Sequence, residues 1–393
     1  MTAVFFQFPV DLHKDGAAGG AVLFRRDVLY YCLPDRPRPM SPVCRERGPS
    51  VRQSRENGGS RKWLRRLPAL MILAVLAPLG IFWLGFRVYY NEFYSAAVAD
   101  VHIPGLAENF VPQGLEACGG GEFLISGYIS TTGVSRLYYI KANSAARLIR
   151  VVDRDGKPLV SHSGGICTNG PFTYLAGSGG NCYVLPSADI FDSASYEANV
   201  LGGLKTDNAA SFCYLTEDHL LVGEYEYGRF KTEESHHITT PAGDRNTAVL
   251  LSYPLNGEAE FGVEPEPDRA YSIPERVQGT CVTGDGRIVL SASSFRNSSQ
   301  LFFHDRKTVV QSPHGIYWND GTPIPIYYLD TASCVDVLHL PPYSEETVYD
   351  GGQLYVLFES AANRFRFGKL MGGQYLYRMR LPEWERDAGV DAP

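Results

Sequence analysis

Nowhere in this 393-residue chain is there a Cys-x-x-Cys or His-x-x-x-His spacing, which excludes the usual structural zinc frameworks. No Gly-x-Ser-x-Gly elbow, His-Glu-x-x-His pair or phosphate-cradling glycine loop occurs either, so the common motif-bearing enzyme classes lack support. Helical periodicity is nearly absent after residue 91. Charge is missing altogether from the 20 residues that begin at Leu67 and end at Phe86.

That uncharged run is apolar, and at about 1.5 Å of rise per residue it matches the roughly 30 Å hydrocarbon core of a bilayer. Its position predicts a single transmembrane signal anchor over 63–90, whose partner is the lipid bilayer. Arg52, Arg55, Arg61, Lys62, Arg65 and Arg66 precede it and only Arg87 follows closely. The positive-inside tendency therefore puts the N-terminus in the cytoplasm and everything after about Asn91 outside it. Trp63 on one side and Tyr89, Tyr90 and Tyr94 on the other fall where an aromatic belt would lie. Pro68 is near the helix start, and a mid-span proline such as Pro78 is tolerated when local adjustment satisfies the freed carbonyl. The rival reading is a cleaved signal peptide, because Ala97-Val98-Ala99 has the small-x-small form of a cleavage site. A signal h-region is typically about 7–15 residues, shorter than this run.

Residues 1–62 read as a basic, disordered cytoplasmic tail with Pro-Asp-Arg-Pro-Arg-Pro-Met at 34–40; translation from Met40 is an alternative start. A linker is expected over 91–99 and an external domain, ending in a short tail, over 100–393. Up to residue 90 the chain holds 14 Lys plus Arg against 6 Asp plus Glu, a balance of +8; beyond it, 22 against 37 give −15. Such an acidic domain is a poor holder of nucleic acid through its overall field.

Six cysteines lie in that domain: Cys118, Cys167, Cys182, Cys213, Cys281 and Cys334. An oxidising compartment permits disulfides, though a domain of this size does not need them. Cys167, Cys213 and Cys281 hold one equivalent place in successive repeats, which suggests small buried apolar side chains.

The repeat itself consists of short Tyr, Val, Leu and Ile runs separated by Gly, Asn, Asp and Ser turns, an all-β signature. First strands align at 111–117, 162–168, 209–215, 277–283 and 345–350. Second strands follow at 123–128, 172–177, 220–225, 288–293 and 354–360, and third strands at 136–140, 181–185, 248–255, 300–304 and 374–381. Five copies of three or four antiparallel strands predict a five-bladed β-propeller, with six blades as the competitor, because one small sheet cannot bury both faces alone. The last copy has no outer strand of its own. The segment 100–106 is expected to supply it, bringing Ile103 to the strand at Tyr377 and latching the ring. Insertions at 228–246 and 305–325 are expected to be rim loops.

Phrases such as Phe-Val-Pro-Gln-Gly-Leu, His-Ser-Gly-Gly-Ile, Val-Gln-Gly-Thr-Cys, Ser-Phe-Arg-Asn-Ser-Ser and Leu-Tyr-Val-Leu-Phe-Glu-Ser-Ala-Ala carry a resemblance. Over most of 100–381 the chain resembles uncharacterised secreted or membrane-anchored bacterial β-propeller-like proteins. The resemblance implies a fold and an extracytoplasmic setting, and no activity.

In a propeller the innermost strands line a central channel whose mouth is the usual binding surface. Gln113, Gln278 and Glu346 fall at one aligned position at the start of that strand, with His162 two residues before Gly164. They are the candidate ligand-binding residues: Glu346 a charged anchor, His162 an acid, base or ligand, the glutamines hydrogen-bonding groups; the plainer alternative is that they bond one another and trapped water. Glycines beside them, Gly114, Gly165 and Gly279, allow close backbone approach. Glu359 with Arg364 and Arg366 is a secondary candidate, otherwise an ion pair. Tyr128, Tyr225, Tyr227 and Phe295 end second strands and offer an aromatic surface for a sugar or peptide, or interblade packing. His236 and His237 follow Glu233 and Glu234 in an insertion, where a loop metal site is conceivable; no metal site is assigned.

These features support a binding or scaffold module whose ligand is a small molecule, glycan or protein, with no cofactor implied. The alternative is a propeller-type hydrolase or lactonase, which would hold a divalent cation with several carboxylates and amides at the channel. The aligned positions supply one carboxylate, which favours binding. A purely structural envelope protein is the third possibility.

Overall fold

The computed structural model describes residues 67–381 apart from 143, 178, 366 and 367. The expected tail over 1–62, Trp63, the basic cluster before the span, Met40, Arg366 and the C-terminal tail lie outside the described residues.

The domain that follows the apolar helix is a five-bladed β-propeller. Blade 1 runs from its inner strand outward as Phe110–Gly119, Glu122–Ile129, Ser135–Ile140 and Arg147–Val152, with Glu197–Asn199 added in parallel at its edge. Blade 2 is Gly165–Asn169, Phe172–Gly177, Asn181–Pro186 and Gly202–Lys205. Blade 3 begins Phe212–Leu215, His219–Gly223, Ala248–Pro254 and Arg269–Ile273. Blade 4 is Val277–Val282, Arg287–Ala292, Ser299–Asp305 and Cys334–Leu340. Blade 5 is Ser344–Asp350, Gln353–Phe358 and Tyr375–Met379, completed by the N-terminal strand Ala97–His102. The expected inner, second and third strands coincide with these elements in every blade.

The latch closes the ring as the missing outer strand required, and it starts earlier than expected. Ala97 pairs with Met379, Ala99 with Tyr377 and His102 with Tyr375, after which the Ile103 amide donates to the Gln374 carbonyl at 2.9 Å. The 91–99 segment is therefore part of the fold and not a linker: Asn91–Ala96 is a short helix, α2, whose Phe93 is fully buried against Phe358 and Tyr377. Apolar side chains at a helix turn and on the adjacent sheet face gain more by packing together than by hanging on a tether. Ahead of it lies α1, Leu67–Tyr89, with Leu73, Leu76, Ile81 and Leu84 all exposed, and of its described residues only those near Phe86 pack against the domain. By length and composition it is able to cross a membrane.

One insertion departs from expectation. Residues 305–325 are not simply a rim loop, because Gly315–Asn319 and Thr322–Tyr328 form a hairpin that joins blade 3 as its fifth and sixth strands, Ala270 pairing in parallel with Ile326. Between the blades lie separate apolar cores, such as the one where Ile103, Phe110, Phe123 and Tyr355 bridge blades 5 and 1. Cys167 and Cys213 meet in another with sulfurs 3.6 Å apart, and the six described cysteines are free.

Candidate functional site at the channel mouth

Three inner strands carry the same irregularity. The register slips by one residue between Pro112 and Gly114, between Val277 and Gly279, and between Ser344 and Thr347. A bulge turns the extra side chain out of the ladder and re-aims it. Here it points Gln113, Gln278 and Glu345 into one cavity of about 330 Å³, where Gly164 and Ser211 occupy the corresponding places of blades 2 and 3. Each of the five blades thus contributes one residue, within its inner strand or just ahead of it, to the ring at the mouth.

The blade 5 bulge contains two glutamates, and the sequence alignment picks the wrong one. Glu346 stands level with Gly279, whose added Cβ would fall 2.7 Å from the Glu346 Cα. Its carboxylate is buried between blades, where Oε1 accepts from the Thr280 and Thr347 amides at 2.9 and 3.1 Å. Glu346 therefore does not line the mouth, and Glu345 takes that place. The error arises because Gly114, Gly165 and Gly279 mark the position after the bulge in other blades while blade 5 has no glycine there.

Glu359, at the end of the blade 5 second strand, completes the centre. Gln113 Nε2 donates to Glu359 Oε2 at 2.9 Å and Gln278 Nε2 to Glu345 Oε1 at 3.3 Å, while the two carboxyls hydrogen-bond each other. Burial raises both. Glu345 is pushed well up by desolvation and then by the neighbouring Glu359 charge. Glu359 is raised to about 7 by burial, restrained by Arg364, Glu345 and Gln113. Two carboxyls at hydrogen-bonding distance cannot both ionise cheaply, so they share one proton.

Arg364 faces this pair. It donates to the Tyr128 hydroxyl, and its guanidinium lies 5.8 Å from the centroids of both Tyr128 and Phe365. The Tyr128 ring in turn stacks on His162 at 4.8 Å, and burial lifts its phenol to about 12. His162 is exposed at the cavity wall, where partial desolvation and then the Arg364 charge lower its imidazole to about 4. It is neutral at pH 7 and able to accept or donate a hydrogen bond.

Gln113, His162 and Gln278 thus meet at one mouth with Glu359, Arg364, Tyr128 and Tyr225. Tyr227 lies outside this cavity, in an adjoining groove that shares Phe295 with it. Sequence reasoning missed Glu345, Ser211, Phe365 and the tip of the 228–246 insertion, where Arg229, Phe230 and Lys231 overhang the cavity. The available signal was the residue before each glycine in Gln-Gly and Gly-Gly pairs, read in blade 3 as Ser211 before Phe212.

The two insertion histidines serve structure. His236 is buried, its Nδ1 is 2.7 Å from Glu224 Oε1 and its Nε2 is 2.9 Å from the Tyr317 hydroxyl. His237 Nε2 lies 2.9 Å from Thr232 Oγ1. Among the described residues, no group of three or more His, Cys, Asp or Glu side chains is arranged to hold a metal ion.

No protein-family description matches the chain, and no curated protein matches it. Solved structures do. The pyrroloquinoline-quinone-bound aldose sugar dehydrogenase of Streptomyces coelicolor is 12% identical, over 72% of this chain and 95% of that one, with a TM-score of 0.39. The α-L-arabinofuranosidase of Lactobacillus brevis is 11% identical over 71% and 91%, with a TM-score of 0.39. The WD40 β-propeller domain of Doa1 is 10% identical over 74% and 96%, with a TM-score of 0.32. Enzymes and a WD40 domain stand side by side among these structures, and at such identities the likeness concerns the fold alone.

Proposed function

We propose that this protein is a membrane-anchored, extracytoplasmic β-propeller that binds a small polar ligand at its channel mouth. The observation that carries this reading is the convergence of five inner strands on one cavity through a bulge repeated in three of them. A purely structural hub would be served by packed side chains. This one instead keeps a carboxyl pair, two amides and a guanidinium around open space of about 330 Å³, at the lower end of the range of small-molecule sites. Aromatic walls from Tyr128, Tyr225, Phe230 and Phe295 beside fixed hydrogen-bonding groups suit a hydroxylated ligand.

Two features support the anchor. The described apolar side chains of α1 from Met71 to Leu84 are exposed, and the Ala97–Ala99 segment that a signal peptidase would cut is paired strand. Cleavage after Ala99 would remove half of the latch together with Phe93.

The proton-sharing pair favours a second reading, a hydrolase in which Glu359 activates water while Glu345 protonates a leaving group. Mutually hydrogen-bonded carboxyls stand closer than the roughly 5–9 Å separation of glycosidase pairs, which argues against that chemistry. A thermal-shift screen of the full chain in detergent against sugars, polyols and divalent cations decides between the readings. A stabilising polyol whose effect is lost in Gln113→Ala, Gln278→Ala and Glu345→Gln supports binding. A Ca²⁺ response abolished by Glu345→Gln supports the metal-dependent hydrolase. If the triple replacement changes no response, the channel mouth is not the site.

A further inference from the structure

The anchor meets the propeller at the same rim that holds the cavity. Tyr90, immediately after α1, hydrogen-bonds Ser298 through its hydroxyl at 2.8 Å, and the Tyr94 hydroxyl donates to the Met371 carbonyl at 3.4 Å. Ser298 ends the loop at 293–298, and Met371 ends the Gly368–Met371 turn. Both loops join second to third strands, as does the loop that bears Tyr225, and Tyr128 stands at the same end of the blade 1 second strand. Turns between first and second strands, such as those around Asp285 and Gly351, lie at the opposite end of the ring.

Between these two loops runs a groove of about 590 Å³, walled by Asn297 and Met371 on the anchor side. It shares Phe295, Arg364 and Phe365 with the central cavity, so the groove beside the loops that Tyr90 and Tyr94 grip adjoins the site of the carboxyl pair. Exposed apolar side chains stand next to cations in sequence on these second-to-third-strand loops: Phe295-Arg296 in the groove wall, Arg229-Phe230-Lys231 at the central cavity, and Lys369-Leu370 in the Gly368–Met371 turn whose ends line the groove. Phe230, Phe295 and Leu370 are 46, 58 and 43% exposed in a domain whose net charge is otherwise strongly negative. Apolar tips flanked by Lys and Arg are the composition of a surface that sits in the headgroup layer, the apolar groups entering the acyl boundary and the cations meeting phosphate.

We propose that the channel mouth faces the bilayer and that its ligand is the polar headgroup of an anionic phospholipid, which enters laterally along the groove beside the anchor. The phosphate lies among the rim cations and the hydroxylated headgroup reaches Gln113, Gln278 and the carboxyl pair, while the acyl chains stay in the membrane. This rests on the membrane-anchored, mouth-binding reading and adds the ligand's class and its route.

The test uses the full chain in nanodiscs of phosphatidylcholine, with or without phosphatidylglycerol. A photoreactive benzoylphenylalanine is placed singly at Phe295, Leu370, Asp285 or Gly351, and lipid adducts are read by mass spectrometry. Adducts at positions 295 and 370, and none at 285 and 351, are expected. Adducts only at 285 and 351, or at none of the four, from a chain that resists alkaline carbonate extraction overturn the apposition while leaving the anchor standing. A chain released by carbonate overturns the anchor as well. In the second arm, hydrogen exchange at 293–298 and 359–365 is expected to slow several-fold with phosphatidylglycerol, and not with soluble glycerol phosphate added to phosphatidylcholine discs. Arg364→Gln removes that protection while leaving exchange in the blade 3 strands unchanged. Equal exchange in both lipids, or equal protection by free glycerol phosphate, overturns the lipid assignment.

Discussion

Gln113 Nε2 donates to Glu359 Oε2 at 2.9 Å, joining the first strand of blade 1 to the end of the second strand of blade 5. The bond crosses the seam of the ring, where the latch strand closes the propeller, so the geometry of the carboxyl pair depends on closure. A donor amide aimed at a carboxylate favours its charged form. Gln113→Leu removes that donor and leaves the shape nearly unchanged. The Glu359 carboxyl is expected to titrate higher than in the wild type, read by ¹³C chemical shift or infrared carboxyl bands across pH 5–9. An unchanged titration would mean that the Gln113 amide does not bear on its charge.

The same pair makes stability depend on pH with a definite sign. Glu359 is raised to about 7 in the folded protein against about 4.5 unfolded, so the native state binds more protons between those values. Its contribution is fully present below the unfolded value and is lost as pH rises through about 7. His162, lowered to about 4, acts in the opposite sense, adding stability as pH rises from about 4 to 6.5. The total profile of the wild type mixes the two. The difference between wild type and Glu359→Gln isolates the first: the variant's melting temperature should gain on the wild type from pH 5 to pH 8, and a constant difference would show that the pair does not share a proton.

Near the axis, backbone packing leaves no room for a methyl group. An added Cβ on Gly165 would lie 2.4 Å from the Cys213 amide nitrogen and 2.8 Å from the Phe212 Cα, both backbone atoms that side-chain motion cannot clear. On Gly257 it would meet nothing within 4 Å. Gly165→Ala is expected to cost about 3 kcal/mol or more, the upper end for overpacking, and Gly257→Ala to be near neutral. Urea unfolding of the two variants beside the wild type measures both. Equal midpoints would mean that the inner strands of blades 2 and 3 stand further apart than described.

Much of this architecture is legible in the sequence because each inner and second strand is a short apolar run bounded by turn residues, and that periodicity survives any spacing between copies. The latch is legible too, since the last copy has one strand too few. What defeats sequence reading is the bulge. Its extra residue breaks the two-residue period on which alignment depends, and in blade 5 two glutamates occupy it, so Glu346 is taken for the mouth residue while Glu345 fills that role. The Glu359–Arg364 cluster reads as a peripheral ion pair because nothing in the chain shows that the ring seam folds it over Gln113. The placement of Phe230 and Lys231 is equally hidden, being set by the Tyr227–Phe230 backbone pair and by the Lys231–Glu226 ion pair.

Phe93 is the most deeply buried side chain of α2 and fastens it to blade 5. Phe93 is fully buried, with ring centroids 5.7 Å from Phe358 and 5.2 Å from Tyr377, and it sits four residues before the latch strand begins. Truncating a buried phenylalanine costs about 3–5 kcal/mol through lost burial and an unfilled cavity. Because the latch strand pairs only with Tyr375–Met379, the loss in Phe93→Ala should fall on blade 5 first. Hydrogen exchange at residues 97–103 and 375–379 is expected to quicken more than in the strands of blade 2, and proteolysis between 90 and 100 to appear before global unfolding. Replacement by leucine, which keeps most of the volume, should restore much of the protection. Uniform acceleration across all five blades would instead mean that the ring opens only as a whole, with the helix contributing to every blade alike.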